Sequence, residues 1–298
     1  MTLGQHSPSP HVAVVVLSWN GREETLACLA SLTRVDHEPL SVIVVDNASQ
    51  DGSADALTGV DVIRNDRNLG YAGGMNVGIR AALERGADAV LLLNNDVVVE
   101  PGAVAALAAA ADGAGAVCPL ITFAGDPETV WYAGAAFDPK RGYQGRHRGF
   151  GEAASRFGAT QETERACGAA MLVPRAALER VGELDETLFA YQEDTDWSLR
   201  ARRLGLPLLV VPAARVRHRV SATTGGEGSP TALYYSVRNT LTVCERHAPL
   251  GTLGTWRRRL VVLLAFTAQA LRGRNRLAKL RSLRDGWRDF RRGRLGPR

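Results

Sequence analysis

The chain alternates short, continuously apolar runs with segments whose apolar residues recur at helical spacing. Residues 11–18 (HVAVVVLS) are apolar and β-branched almost throughout, the pattern of a strand buried on both faces. Residues 42–45 and 60–63 read as a second and a short third strand, and residues 89–93 as a fourth. Between them, residues 22–33 carry Leu26, Leu29 and Ala30 at helical spacing, and residues 76–85 read as another helix. Pro101 opens an Ala-rich helix, in the first-turn position that suits proline. Buried strands alternating with helices predict an α/β fold: a doubly wound, mainly parallel sheet flanked by helices.

The pattern changes after about Cys118. Residues 122–165 are rich in Gly, Arg and aromatics without clear periodicity, which predicts loops and short strands beside a site. Residues 167–173 are apolar again, residues 175–181 read as a short helix and residues 194–204 as a clearer one. Residues 206–211 predict a strand that ends at Pro212, and residues 221–230 (SATTGGEGSP) a flexible, turn-rich loop. The remainder reads as helical and increasingly basic, and no repeat is visible.

Composition adds two things. With 45% hydrophobic and 22% charged residues, the 298-residue chain is ordinary for a globular protein. Cys28, Cys118, Cys167 and Cys244 are scattered, without the spacing of a zinc site or a disulfide framework, so a reducing cytoplasm is the simplest home. Residues 1–10 lack a basic start and an apolar run and read as a disordered lead-in. Residues 260–271 are the longest candidate membrane segment, too short to span and interrupted by Thr267 and Gln269. The net charge of +5 also hides an asymmetry: residues 251–298 hold 14 Lys+Arg against 2 Asp, a net of +12. The rest holds 22 basic and 29 acidic residues, a net of −7. A basic tail on a mildly acidic body points to an anionic surface as the tail's partner.

Ligands of open α/β sheets sit at the carboxyl ends of the strands. Strand one ends in Ser18-Trp19-Asn20-Gly21, strand two in Asp46-Asn47 and strand four in Asn94-Asn95-Asp96. Each set could merely cap the following helix. Three together at one rim favour a ligand site. Asp96 suits Mg²⁺ or Mn²⁺ if a donor diphosphate completes the shell, with His218 as a candidate partner. The Gly-rich segment 68–78 (NLGYAGGMNVG) leads into a helix and would let backbone approach an anion. Glu193, Asp194 and Asp196 crowd a helix start, where favourable pairing with the helix dipole competes with a catalytic reading. Neighbouring Tyr191 and Trp197 offer apolar walls that raise a carboxylate's pKa and suit sugar stacking.

Taken together, these segments resemble glycosyltransferase family 2, the inverting GT-A enzymes, and its rhamnosyltransferase-like branch in particular. The resemblance runs in order over about residues 12–240: VVVLSWNG, VIVVDNASQDGS, NLGYAGGMNVG, LLLNNDVVVEPGAV, then CGAAMLVP through FAYQEDTDWSLRARRLG, VRHRVSATTGG and YYSVRN. It implies a Rossmann-like GT-A domain over 11–240, with a nucleotide-sugar half at 11–115 and an acceptor half at 116–240. A basic amphipathic helical tail at 241–298 would follow. It implies donor binding by Ser18, Trp19, Asn20, Asp46, Asn47, Asn68, Gly70, Asn76, Asn94 and Asn95, with Asp46 at the nucleobase. Asn94-Asn95-Asp96 stands where the family has D-x-D, so asparagine replaces the first aspartate and only Asp96 can be a carboxylate ligand, with His218 as the second metal contact. Asp194 matches the general base and Glu193 supports it, while Tyr191, Trp197 and Arg200 would shape the acceptor side.

The implied activity is transfer of a sugar, by preference L-rhamnose from dTDP-rhamnose, to an acceptor hydroxyl in cell-wall or polysaccharide assembly. The alternatives are a UDP-hexose donor, or a catalytically silent nucleotide-sugar-binding protein, which Asn94 would fit. A nucleotidylyltransferase would need a basic, Gly-rich signature near the start, and SWNGREE is not one. The tail interleaves Arg and Lys with Leu260, Val261, Leu264, Leu271, Leu277, Leu280, Leu283, Trp287 and Phe290. It reads as helices on an anionic membrane surface, or as helices packed on the body or on a second copy in a homo-oligomer. The first reading suits a polyprenyl-diphosphate-linked or other saccharide acceptor at the inner face of the cell membrane. No motif supports nucleic-acid binding.

Overall fold

The structure, a computed structural model, describes residues 9–138, 142, 147–219 and 228–298. Most of the expected lead-in, and most of the loop expected at 221–230, lie outside them. The first half follows the apolar pattern closely. Strand β1 is Val12–Ser18, helix α1 Arg22–Leu32, β2 Leu40–Asp46 and β3 Asp61–Arg64. Helix α2 is Gly70–Glu84, β4 Ala89–Asn94, β5 Val97–Val99 and α3 Ala103–Ala109. The second half contains β6 (Ala116–Phe123), β7 (Asp126–Tyr132), β8 (Gln161–Thr163), β9 (Ala170–Pro174), α4 (Arg175–Val181), α5 (Glu193–Arg203) and β10 (Leu208–His218). Three long helices follow: α6 (Pro230–His247), α7 (Thr252–Ala270) and α8 (Arg276–Arg291).

The strands form one sheet in the order β3-β2-β1-β4-β9-β6-β10-β5, with β7 beside β6 and β8 beside β10. Its longest ladders are parallel, β1 with β2 and β4 and β6 with β10, and β3 adds to β2 in the same sense. The antiparallel ladders, led by β4 with β9, are shorter. Helices cover the faces, and Val14, Leu91, Leu172 and Val210 belong to one continuous apolar core that joins the two halves.

Two boundaries differ from expectation, and both matter for the site. Helix α2 begins six residues before the predicted start, so most of the Gly-rich segment is helix rather than loop. The Asn68 carboxamide oxygen accepts the Gly70 N–H at 2.7 Å and satisfies a donor that the first turn leaves open. Strand β10 runs through Pro212 instead of ending there. A register shift between Val211 and Arg215 absorbs the missing N–H as a bulge. The strand therefore reaches His218, which pairs in antiparallel register with Val97 of β5.

Helices α6, α7 and α8 share their own apolar cluster, with Leu233, Val237 and Leu241 meeting Val262, Phe266 and Leu283. Helix α6 passes through the boundary expected at 240. Of the tail residues expected to be apolar contacts, Leu280, Leu283, Trp287 and Phe290 pack into this cluster. Leu260, Leu264, Leu271 and Leu277 stay exposed.

Candidate active site

Parallel pairing aligns Ser18 with Asp46 and Leu17 with Asn94, so β1, β2 and β4 end at one rim. A cavity of about 410 Å³ opens there. Its walls include Trp19, Asn68, Asn94 and Asn95 on the sheet side, and Phe189, Tyr191 and Tyr235 opposite. Half-exposed Trp19 at 40% is available for stacking.

Asp46 is buried at the end of β2. Its Oδ2 accepts the Ser49 N–H at 3.3 Å, while its Oδ1 is buried without a hydrogen-bond partner among the described residues. Such an orphan acceptor is costly unless a ligand supplies a donor. Asn20, at φ 60°, braces this turn: its N–H donates to Ser49 Oγ and its Oδ1 accepts from Gln50 N–H. Asn95 ties β4 to the same turn by donating to the Asn20 carbonyl and to Thr25 Oγ1.

At the other end of the rim, the β5–β10 register brings Asp96 and His218 together, although 122 residues separate them in sequence. His218 Nε2 lies 3.1 Å from Asp96 Oδ1, and both side chains are buried. The His218 Nδ1 has no partner among the described residues, and the Trp131 ring packs edge-on at 4.6 Å. Among the described residues no cluster of three or more acidic, His or Cys side chains is preformed for a metal. A carboxylate and an imidazole nevertheless suit Mg²⁺ or Mn²⁺ when substrate oxygens complete the shell.

The carboxylate pair sits at the start of α5. Asp194 Oδ2 accepts the Gly168 N–H at 3.2 Å, and its Oδ1 accepts the Thr195 N–H at 2.6 Å. Neither Asp194 nor Glu193 forms the cavity wall, but Tyr71 joins them to it. Tyr71 lines the cavity and donates to the Gly168 carbonyl at 2.5 Å. Glu193 is buried, and its Oε2 lacks a partner among the described residues. Burial, reinforced by the charge of Asp194, pushes its carboxyl up to about 8.

Several expected site residues also make structural contacts. Ser18 is buried and bonds Thr25 Oγ1 at 3.1 Å. Asn47 borders the cavity, but its carboxamide is spent internally, donating to Asn68 and Gly70 and accepting from Asn65 and Leu69. It moulds the segment that faces the ligand. Asn76 lies inside α2 and bonds both backbone groups of Leu184, away from the cavity wall. Trp197 is core, 1% exposed, with its indole N–H on the Gly182 carbonyl. Arg200 binds Asp196 and the carbonyls of Val181 and Glu183. Both side chains are engaged in these internal contacts. Gly70 lines the cavity and must also be small for protein packing, since a Cβ there would lie 2.3 Å from the Phe189 carbonyl oxygen.

Sequence reasoning missed the residues that hold the opposite wall. Phe189, Tyr191 and Gln192 all have positive φ, which costs energy in L-residues. Asn239 of α6 donates to the carbonyls of Leu188, Ala190 and Tyr191, each at 2.8 Å. Fully buried Arg238 donates to the Leu188 carbonyl at 3.0 Å and to Asn239 Oδ1. Their sequence signal was the YYSVRN motif, which ends in Arg238 and Asn239 but to which no role was attached.

With this geometry in view, the similarities are informative. The model of the family described as "Glycosyl transferase family 2" matches residues 13–182. The N-acetylglucosaminyl-diphospho-decaprenol L-rhamnosyltransferase of Mycobacterium tuberculosis (strain H37Rv) is 30% identical over 279 residues, covering 85% of this chain and 84% of that one. A dTDP-rhamnosyl transferase of Shigella flexneri is 26% identical over 252 residues, covering 80% and 82%. Among solved structures, GalNAc-T7 with UDP, GalNAc and Mn²⁺ superposes with a TM-score of 0.66 at 18% identity, over 96% of this chain and 56% of that chain. The Pyrobaculum calidifontis mannosyltransferase, in complex with GDP-Man and Mn²⁺, gives a TM-score of 0.53 at 17% identity, over 92% and 79%. These two share the GT-A type of fold with this chain.

Proposed function

Because the chain belongs to glycosyltransferase family 2 and is a glycosyltransferase, we propose that it transfers L-rhamnose from dTDP-rhamnose, with inversion, to a hydroxyl of a polyprenyl-diphosphate-linked saccharide. The observation that carries the reading is the rim itself. Asn47 and Asn95, the chain neighbours of Asp46 and Asp96, line the cavity at the strand ends where Asp46 keeps its buried orphan oxygen, while His218, bonded to Asp96, borders a separate hollow with Phe123, Asp126 and Arg219. The two relatives described above are named as rhamnosyltransferases and support the sugar, and the decaprenol-linked substrate in the name of one supports the acceptor class.

In this mechanism Asp46 Oδ1 accepts from an N–H of the nucleobase, and Trp19 stacks at the mouth. Asp96 and His218 would hold a divalent cation, which supplies positive charge for the departing nucleotide diphosphate. Asp194 takes the proton of the acceptor hydroxyl as its oxygen bonds to the anomeric carbon. The bond from that carbon to the diphosphate oxygen breaks, and its electron pair leaves with the nucleotide. The hydrogen bonds from Gly168 and Thr195 fix the Asp194 carboxylate for that step. Buried Glu193, its carboxyl pushed up to about 8, stays protonated at neutral pH.

Asp194→Asn tests the reading. Transfer should fall by roughly 10²–10⁴-fold, while donor binding by thermal shift stays near wild type. Near wild-type turnover would remove Asp194 as base. Asn94, in place of the first aspartate of D-x-D, favours one competing reading, a silent nucleotide-sugar binder. A panel of dTDP-, UDP- and GDP-sugars, assayed for hydrolysis with Mg²⁺ or Mn²⁺, separates that reading from the enzyme and identifies the donor.

A further inference from the structure

Helix α7 has two apolar faces, and the fold uses one. Val262, Phe266 and Ala270 pack into the cluster with α6 and α8. Leu253, Trp256, Leu260, Leu264 and Leu271 form a second stripe, at intervals of three, four, four and seven residues, that faces outward. Their exposure ranges from 49% at Leu271 to 83% at Leu253. These five are nearly half of the 11 large exposed hydrophobic side chains among the described residues, and Leu250 and Leu277 adjoin the helix ends. Concentration on one helix marks an interaction surface, where single scattered side chains would not.

Charge says what covers it. Arg257 and Arg259 lie beside Trp256, with the Arg259 guanidinium 5.6 Å from the Trp256 ring centroid. Arg272, Arg274 and Arg276 follow Leu271, and no Asp or Glu occurs between Glu245 and Asp285. An apolar stripe about 28 Å long, with cations at both ends, matches a bilayer surface. There leucines enter the acyl region while Arg and Trp stay among the headgroups. A second copy on this stripe would bring the same cations together with no carboxylate to pair them. No helix among the described residues is long and apolar enough to cross a membrane.

We infer that α7 docks flat on an anionic lipid surface through Leu253, Trp256, Leu260, Leu264 and Leu271, with Arg257, Arg272, Arg274 and Arg276 on lipid phosphates. The inference rests on the proposed function only for its purpose, delivery of a lipid-linked acceptor. Helix α6 links the two places, since Thr231 and Tyr235 line the cavity while Leu233, Val237 and Leu241 carry α7.

The test is co-sedimentation of the full-length protein with phosphatidylglycerol–phosphatidylcholine vesicles and with phosphatidylcholine alone, at low and high salt. Wild type should bind the anionic vesicles, and salt should weaken binding. The Leu260→Glu/Leu264→Glu variant, altered only at exposed positions, should keep its Tm and bind on the order of 100-fold more weakly. Wild type that stays in the supernatant with both compositions, or a variant that binds like wild type, overturns the inference. So does a wild-type dimer that the variant converts to monomer, because a second copy would then own the stripe. Donor hydrolysis without vesicles should be equal in both proteins. Its absence from both, with vesicle binding as expected, would sink the enzymatic reading and leave the docking surface standing.

Discussion

Glu193 and Asp194 are neighbours in sequence with different surroundings, and the difference can be measured. Glu193 is buried, and its folded-state pKa of about 8 lies above the ordinary 4.5. The folded protein therefore holds a proton that the unfolded chain releases between those values. Stability from this site is highest below about 4.5, declines as pH rises towards 8, and is constant above. Glu193→Gln removes the ionisable group while keeping the neutral shape. It should raise the neutral-pH stability by up to a few kcal/mol, on the order of the linkage energy, and flatten Tm against pH over that window. It should also retain most transfer activity at pH 7, in contrast to Asp194→Asn. At the metal end, Asp96→Ala and His218→Ala should each abolish stimulation by Mg²⁺ or Mn²⁺. Activity of Asp96→Ala that still responds to added metal and to chelator would remove Asp96 as a ligand.

The segment from Leu188 to Gln192 is a strained element held from outside. Its positive-φ residues carry Phe189 and Tyr191 to the cavity and set the start of α5, and its Leu188, Ala190 and Tyr191 carbonyls converge on Asn239. Phe189 stacks on Tyr235 at 5.0 Å, from the same helix that supplies the clamp. Asn239→Ala would leave three carbonyls without that donor and cost about 1–3 kcal/mol. Hydrogen exchange at residues 188–192 should quicken, and kcat should fall more than the affinity for donor nucleotide. Unchanged exchange would mean that the segment holds its shape unaided. The bulge at Pro212 is the other decisive element, because without it β10 would not carry His218 to Val97 and Asp96.

In the molecule as a whole, the three final helices are not a detachable tail. Gly286 of α8 lies so close to α6 that a Cβ would meet the Tyr234 carbonyl oxygen at 2.5 Å, and Tyr234 donates to Asp289 of α8 at 2.8 Å. Helix α6 thus holds the strained segment on one side and α7 and α8 on the other. Removing residues 251–298 should uncover the α6 core side chains, lower Tm by well over 5 °C and increase dye binding to apolar surface. Donor affinity should fall with it. A truncated chain with wild-type Tm would show that the helices are independent. Gly286→Leu should act in the same direction by wedging α6 from α8.

The sequence by itself determined the parallel core and most of the rim. β1, β2 and β4 are buried on both faces, so their apolar runs are unbroken, and the polar residues that follow must lie where the strands end. It likewise determined the order of motifs that marks the family. Tertiary structure decided which of those polar residues are engaged by the protein itself. Asn47, Asn76, Trp197 and Arg200 have chemistry fit for a site, yet backbone groups distant in sequence claim their hydrogen bonds. Likewise, only three-dimensional packing separates the leucines of α7 and α8 that build a core from those that face outward. Each arises from pairing across long stretches of chain, and local spacing carries no record of which distant partner a polar or apolar group will meet.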